Sequence, residues 1–319
     1  MKRAIGPAVK LLVSVALIWL FLRQIDFADV EQAARTARPS FLFLAVVLFT
    51  ISNLLGAVQW GYLLRVQEID LPPRRILSLY FVGVFFNNFL VSNIGGDAVR
   101  VYDLNRTTGK GSEGFAATFL DRFVGLFVLI LFSLIAFASN PDLWSPGLAI
   151  PMFALVGALV GILVFGFSRR LSGWILSVSE GIAPAGVVSL LRRLRESFLA
   201  YRNAYGVLAR VLVIAAGVQL TRVGVYYAVG RGMNLDTGFD HFLIFIPLIA
   251  IVAAVPISFG GIGVRENLGA ILFGRVGVPP AEALAMMFLG YLAGIVASLA
   301  GGVSFVFHRR AKTEETDGG

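Results

Sequence analysis

Apolar residues fall into eight long stretches, 5–22, 41–64, 76–94, 115–139, 147–168, 211–230, 242–259 and 281–307, separated by short polar connections. A helix needs about 20 apolar residues to cross the hydrocarbon of a bilayer, and most of these stretches reach that length. The polar connections decide how they are arranged, because Lys and Arg collect on the cytoplasmic side. The heaviest cluster is 169–210, with Arg169, Arg170, Arg192, Arg193, Arg195, Arg202 and Arg210, and both termini are basic as well. Eight full crossings from a cytoplasmic N-terminus would put that cluster outside. Two stretches therefore stop short of crossing.

The third and seventh are the natural ones. The stretch 76–94 runs into Gly95-Gly96-Asp97 and is flanked on both sides by basic residues, Arg74 and Arg75 before it, Arg100 and Arg106 after it. The stretch 242–259 is broken by Pro247 and Pro256 and ends in Gly260-Gly261-Ile262-Gly263. Treating both as re-entrant predicts an all-α, polytopic transmembrane helical bundle of about six full crossings plus two re-entrant helical hairpins. Both termini then face the cytoplasm. One membrane domain occupies 1–310, including a cytoplasmic amphipathic segment at 169–210, and 311–319 is a polar tail. Within that segment 187–208 reads as one amphipathic helix in the headgroup layer, and 27–38 as a shorter one outside. Trp60 and Tyr80 read as anchors at the membrane interface.

Composition agrees: 57% of the 319 residues are hydrophobic and only 14% charged, against roughly a quarter charged in soluble domains. The net charge of +8 comes from cations lying between apolar runs, which suits anionic lipid headgroups and not nucleic acid. The chain has no cysteine and two distant histidines, so neither a disulfide nor a His/Cys metal site is expected. Gly109-Lys110 is followed by Gly111, which is not a Walker A loop, and no zinc-protease or nucleophile-elbow motif occurs. We expect no metal, no cofactor and no enzymatic activity.

The chemistry concentrates at the two breaks. Gly95-Gly96-Asp97-Ala98-Val99-Arg100 and Gly260-Gly261-Ile262-Gly263-Val264-Arg265 share the pattern Gly-Gly-x-x-Val-Arg, half a chain apart. Interrupted hydrophobic segments at matching places in two halves point to a transporter site built on an inverted repeat. Paired glycines let a ligand approach the backbone, and a helix restarting there offers free N–H groups and its positive dipole end to an anion. Arg100 and Arg265 add forked donors suited to phosphate. Asn93 and Ser258 lie just before the glycines, and Asp97 and Glu266 beside them. Asp121, Arg122 and Arg222 are further ions inside apolar runs, where charges are costly and usually functional. Asp121-Arg122 also reads as a pair snorkelling to the interface.

Three segments together resemble the lysylphosphatidylglycerol synthase transmembrane-region family: Asn87 to Arg100, Asp121 to Leu126, and Pro256 to Glu266. The sequence departs from that pattern at Val91, where proline is frequent, and at Asp121, where glutamate before Arg is common. The resemblance implies a flippase-like membrane domain that moves lipids, or lipid-linked headgroups, between leaflets of the cytoplasmic membrane. It carries Asp97, Arg100, Asp121, Arg122, Arg265 and Glu266 as functional residues. Bifunctional relatives add an aminoacyl-transferase domain; this sequence holds none, so the lysyl-lipid synthesis is not expected of it. The expected ligand is an anionic phospholipid or lipid-linked substrate, and a lipid-synthesising enzyme is the expected partner. A membrane-embedded enzyme using Asp97, Asp121 or Glu266 as base, or a scaffold for such an enzyme, are the alternatives.

Overall fold

The computed structural model describes residues 35, 37–89, 95–143, 146–253 and 263–307. Among the described residues all regular structure is helical: α1 (Pro39–Val66), α2 (Pro73–Phe89), α3 (Gly95–Thr108), α4 (Gly111–Ala138), α5 (Pro146–Phe167), α6 (Arg169–Ile182), α7 (Ala185–Tyr201), α8 (Tyr205–Gly232), α9 (Phe239–Ala253), α10 (Val264–Gly274) and α11 (Pro280–Phe307). Four of these begin on proline (α1, α2, α5 and α11), which fits the first helical position because its missing N–H has no intrahelical partner anyway. Five segments, Pro39–Val66, Gly111–Ala138, Ala149–Gly166, Tyr205–Gly232 and Pro280–Phe305, are long and apolar enough to cross a membrane. They match five of the six expected crossings; the sixth, 5–22, lies outside the described residues, as do the tail 311–319 and most of 27–38. Neither stretch expected to be re-entrant is among the five: α2 and α9 are shorter, and the next described helix after each is another short one, α3 and α10.

The chain divides into two compact units. The first takes the described parts of Met1–Leu54, Arg74–Arg100 and Thr221–Gly319. Its scaffold is set by glycines that let helices close up. Gly232 packs on Phe41 and Gly224 on Leu48, so α1 and α8 run antiparallel. Gly230 meets Met286 and Gly290 meets Tyr226, which makes α11 antiparallel to α8. Against α11 lies α2, also antiparallel: Ser78 and Ser304 share a 2.6 Å hydrogen bond, Gly301 sits on the backbone of Phe81, and Asn88 Nδ2 donates to the Gly294 carbonyl at 3.5 Å. The described part of α2 thus ends level with the middle of α11. From there α3 turns back along α2, with Gly96 against Gly83 and Arg100 over Tyr80. Helices α9 and α10 make a second hairpin from the other end of α11. Phe242 and Phe245 of α9 pack on Phe273 of α10, with ring centroids 4.8 and 5.1 Å apart. Gly269 of α10 meets Met287, and Arg265 reaches Tyr291.

The second unit comprises Leu55–Pro73 and Val101–Leu220. Its core is aromatic: Phe198 of α7 meets Phe119 and Phe123 of α4 edge-on, at 5.6 and 4.9 Å. Trp60 Nε1 donates to Thr118 Oγ1 at 3.1 Å. The Tyr201 hydroxyl donates to the Leu63 carbonyl at 2.9 Å, and burial pushes its pKa upward. Trp60 is therefore no interface anchor; it is fully buried, because its indole N–H has a partner inside. Tyr80, read the same way, is buried in the first unit.

Within the arginine-rich segment the helix bounds are corrected. It folds as two helices, α6 and α7, joined at Ala183 and Pro184, with Arg192 paired to Glu180 at 2.9 Å. The single helix expected over 187–208 ends at Tyr201, and α8 begins at Tyr205. Tyr201 and Tyr205 share an apolar periodicity in sequence, yet one is fully buried and the other 74% exposed. The carbonyl bond and the Phe198 contacts pin the end of α7, so the chain turns at Arg202–Ala204 and does not carry on. Helix α6, unremarked in the sequence, is the more amphipathic element, with Trp174, Val178 and Ile182 exposed along one face.

Candidate functional site

Both hairpin ends come together at Tyr291, near the middle of α11. Its hydroxyl donates to the Asn88 carbonyl at 3.0 Å, one residue before the end of α2. Its ring lies 4.2 Å below the Arg265 guanidinium, at the start of α10. Beside it opens a cavity of about 160 Å³, lined by Phe49 of α1, Asn88, Tyr226 of α8, Ala253 at the end of α9, Arg265 and Tyr291, among others. One water occupies roughly 10–15 Å³ of such space, so the cavity takes a phosphate-sized group with water around it. Drug-sized ligands need roughly 300–1,000 Å³, which excludes a whole lipid.

Among the described residues lining this cavity, Arg265 carries the one formal charge. Stacking on Tyr291 occupies the face of the guanidinium and leaves its in-plane N–H edges directed elsewhere. Glu266 does not reach in; its Oε2 accepts the Gly263 N–H at 2.6 Å and caps α10. Its other oxygen is buried with no hydrogen-bond partner among the described residues.

The first hairpin treats the same residue types differently. Arg100 is 2% exposed, with Nη2 3.3 Å from Asp97 Oδ1 and the guanidinium 4.9 Å over the Tyr80 ring. The Gly96 N–H donates to Asn87 Oδ1 at 2.8 Å, and Asn87 Nδ2 reaches Asp97 Oδ1 at 3.5 Å. The Gly96 amide and the Arg100 Nη2 thus find partners within the hairpin, and Arg100 does not line the cavity. Gly95 opens the helix, half-buried.

Residues 8–302 match the family model described as the lysylphosphatidylglycerol synthase TM region. The chain belongs to that family. It is also similar to two proteins of Methanothermobacter thermautotrophicus described as UPF0104 membrane proteins. Each is 25% identical; the first match covers 87% of this chain and 88% of the relative, the second 90% and 89%. A third UPF0104 membrane protein, from Pyrococcus horikoshii, is 22% identical over 94% of this chain and 96% of its own length. The protein is thus an integral membrane protein of the lysylphosphatidylglycerol synthase TM region family, as the motifs implied.

The remaining residues singled out in the sequence are spread between the two units. Asp121 is buried in the second unit, where its Oδ1 and carbonyl both accept from Gln59 Nε2, at 2.9 and 3.2 Å; Arg122, its neighbour, is exposed. Arg222 is half-buried in the first unit, one turn along α8 from Tyr226 and on the same face. Gly263 holds φ +82°, a left-handed turn ahead of α10. Asn93, Ser258, Gly260 and Gly261 lie outside the described residues. Sequence reasoning missed Tyr291, Tyr226 and Phe49, which reach the site from three separate helices. The Gly290 and Gly294 spacing on α11, a small-residue stripe, is the signal that could have pointed to Tyr291.

Proposed function

We propose that this protein moves anionic, phosphate-bearing lipids between the two leaflets of a cell membrane. The observation that carries the reading is the convergence of two short helical hairpins, from opposite ends of α11, beside a cavity charged by Arg265. A cation at membrane depth is costly and is kept for a task, and interrupted helices meeting at mid-depth are how membrane transporters build a site. The cavity accepts a headgroup phosphate while the acyl chains stay in lipid. In this reading both termini and the α6–α7 pair face the cytoplasm, and an enzyme that makes the lipid supplies the cargo. The test is a leaflet assay of fluorescent anionic lipids in proteoliposomes. Arg265→Ala lowers the rate at least tenfold and Arg265→Lys restores part of it; an undiminished rate in Arg265→Ala removes the proposal.

A further inference from the structure

One helical turn beyond the cavity lie two polar side chains whose buried atoms have no hydrogen-bond partner among the described residues. Asn53 is fully buried with neither Oδ1 nor Nδ2 bonded. Arg222 is half-buried, its Nε enclosed and likewise unbonded. Asn53 follows the cavity residue Phe49 by four positions, and Arg222 precedes the cavity residue Tyr226 by four, so each shares its neighbour's face. Because α1 and α8 are antiparallel, as Gly224 on Leu48 and Gly232 on Phe41 require, both steps lead the same way, by about 6 Å. On α11 that step leads from Gly294, which packs on Phe49, to Ser298. The Ser298 hydroxyl is already bonded to the Ile295 carbonyl at 2.8 Å. A buried amide with both ends open marks a missing partner.

We infer that Asn53 and Arg222 form a second subsite, which takes the hydroxyl-bearing part of a headgroup whose phosphate sits at Arg265. An asparagine amide both donates and accepts, and a hydroxyl answers both. A carboxylate would leave the amide oxygen open, and an ammonium group would be repelled by Arg222. The favoured cargo is therefore a phosphate lipid with a polyol or sugar headgroup, not an amine-bearing one. The inference takes the phosphate at Arg265 from the transport reading, but binding alone tests it.

The experiment measures equilibrium binding of fluorescent phosphatidylinositol and phosphatidylmethanol, equal in charge, to the full chain in nanodiscs. The native protein binds the inositol lipid about tenfold tighter, the scale of one or two hydrogen bonds. Asn53→Leu brings the ratio to about one, leaves phosphatidylmethanol binding unchanged and does not lower the melting temperature, because it removes an unsatisfied amide at similar volume. Arg222→Lys, which keeps the charge, loses part of the preference and stands in should Asn53→Leu fold poorly. Displacement of the lipid by soluble inositol phosphate supports the subsite with a soluble polyol phosphate as ligand; no displacement, with the preference intact, supports it with lipid as ligand. Equal binding of the two lipids by the native protein, or a ratio untouched by both variants, overturns the subsite. Failure to flip either lipid with the binding preference intact overturns the transport reading alone.

Discussion

In the hairpin of α2 and α3, the arginine of the Gly-Gly-x-x-Val-Arg string is the sixth residue of its helix; in that of α9 and α10 it is the second. That offset separates the two roles. α3 is already helical at Gly95, so Arg100 lies a turn and a half inside, within reach of Asp97 on the preceding turn and of Tyr80 on α2. In the other hairpin Gly263 still holds a left-handed turn three residues later, so Arg265 stays at the helix start and reaches the cavity. The acids correspond by helix position and not by alignment: Asp97 and Glu266 are each the third residue of their helix. One neutralises its own arginine; the other caps an amide. A shared string thus marks where a helix restarts, while the register of the restart decides whether its cation pairs within the hairpin or lines the cavity.

The largest effect that would break this contrast is at Arg100. Arg100→Ala leaves Asp97 buried without its cation and costs about 3–5 kcal/mol, read as loss of folded protein in a detergent melt. Asp97→Leu combined with Arg100→Met recovers most of that, because an apolar pair replaces the ions without leaving a charge behind. Gly96→Ala comes next, at about 1–3 kcal/mol, since a Cβ there collides with the Gly83 carbonyl and the Asn87 amide of α2. Gly263→Ala meets open space and pays for its positive φ alone, about 1–2 kcal/mol. Arg265→Ala costs about 1–2 kcal/mol, the scale of its cation–π contact, and on the proposed transport reading lowers the rate at least tenfold. Equal losses of fold at Arg100 and Arg265 would erase the distinction. Tyr291→Phe costs about 1 kcal/mol and reports the tie between the two hairpins through the Asn88 carbonyl.

Much of the architecture was legible because bilayer crossing demands length and apolarity, and each break carries glycines or prolines that read as such. The demotion of 76–94 and 242–259 from crossings came from the positions of Arg74, Arg75 and Arg100 and from Pro247 and Pro256. Less was visible in the site. The string equates Arg100 with Arg265, and nothing in it tells where either helix resumes. The cavity is assembled from Phe49, Tyr226 and Tyr291, which lie on separate helices and look like ordinary aromatic packing in sequence. Tyr201 and Tyr205 fail for a similar reason: periodicity continues through them, while a tertiary hydrogen bond at Tyr201 ends the helix.

The central claim is that each hairpin returns to the side it entered from, and that the two enter from opposite sides. The absence of native cysteine makes sided thiol labelling clean. Arg74→Cys and Arg106→Cys should label from one face of the membrane, and Asp236→Cys and Pro279→Cys from the other. If the two members of either pair label from opposite faces, that hairpin is a through-crossing, and the meeting of ends at Tyr291 loses its meaning as a transport site.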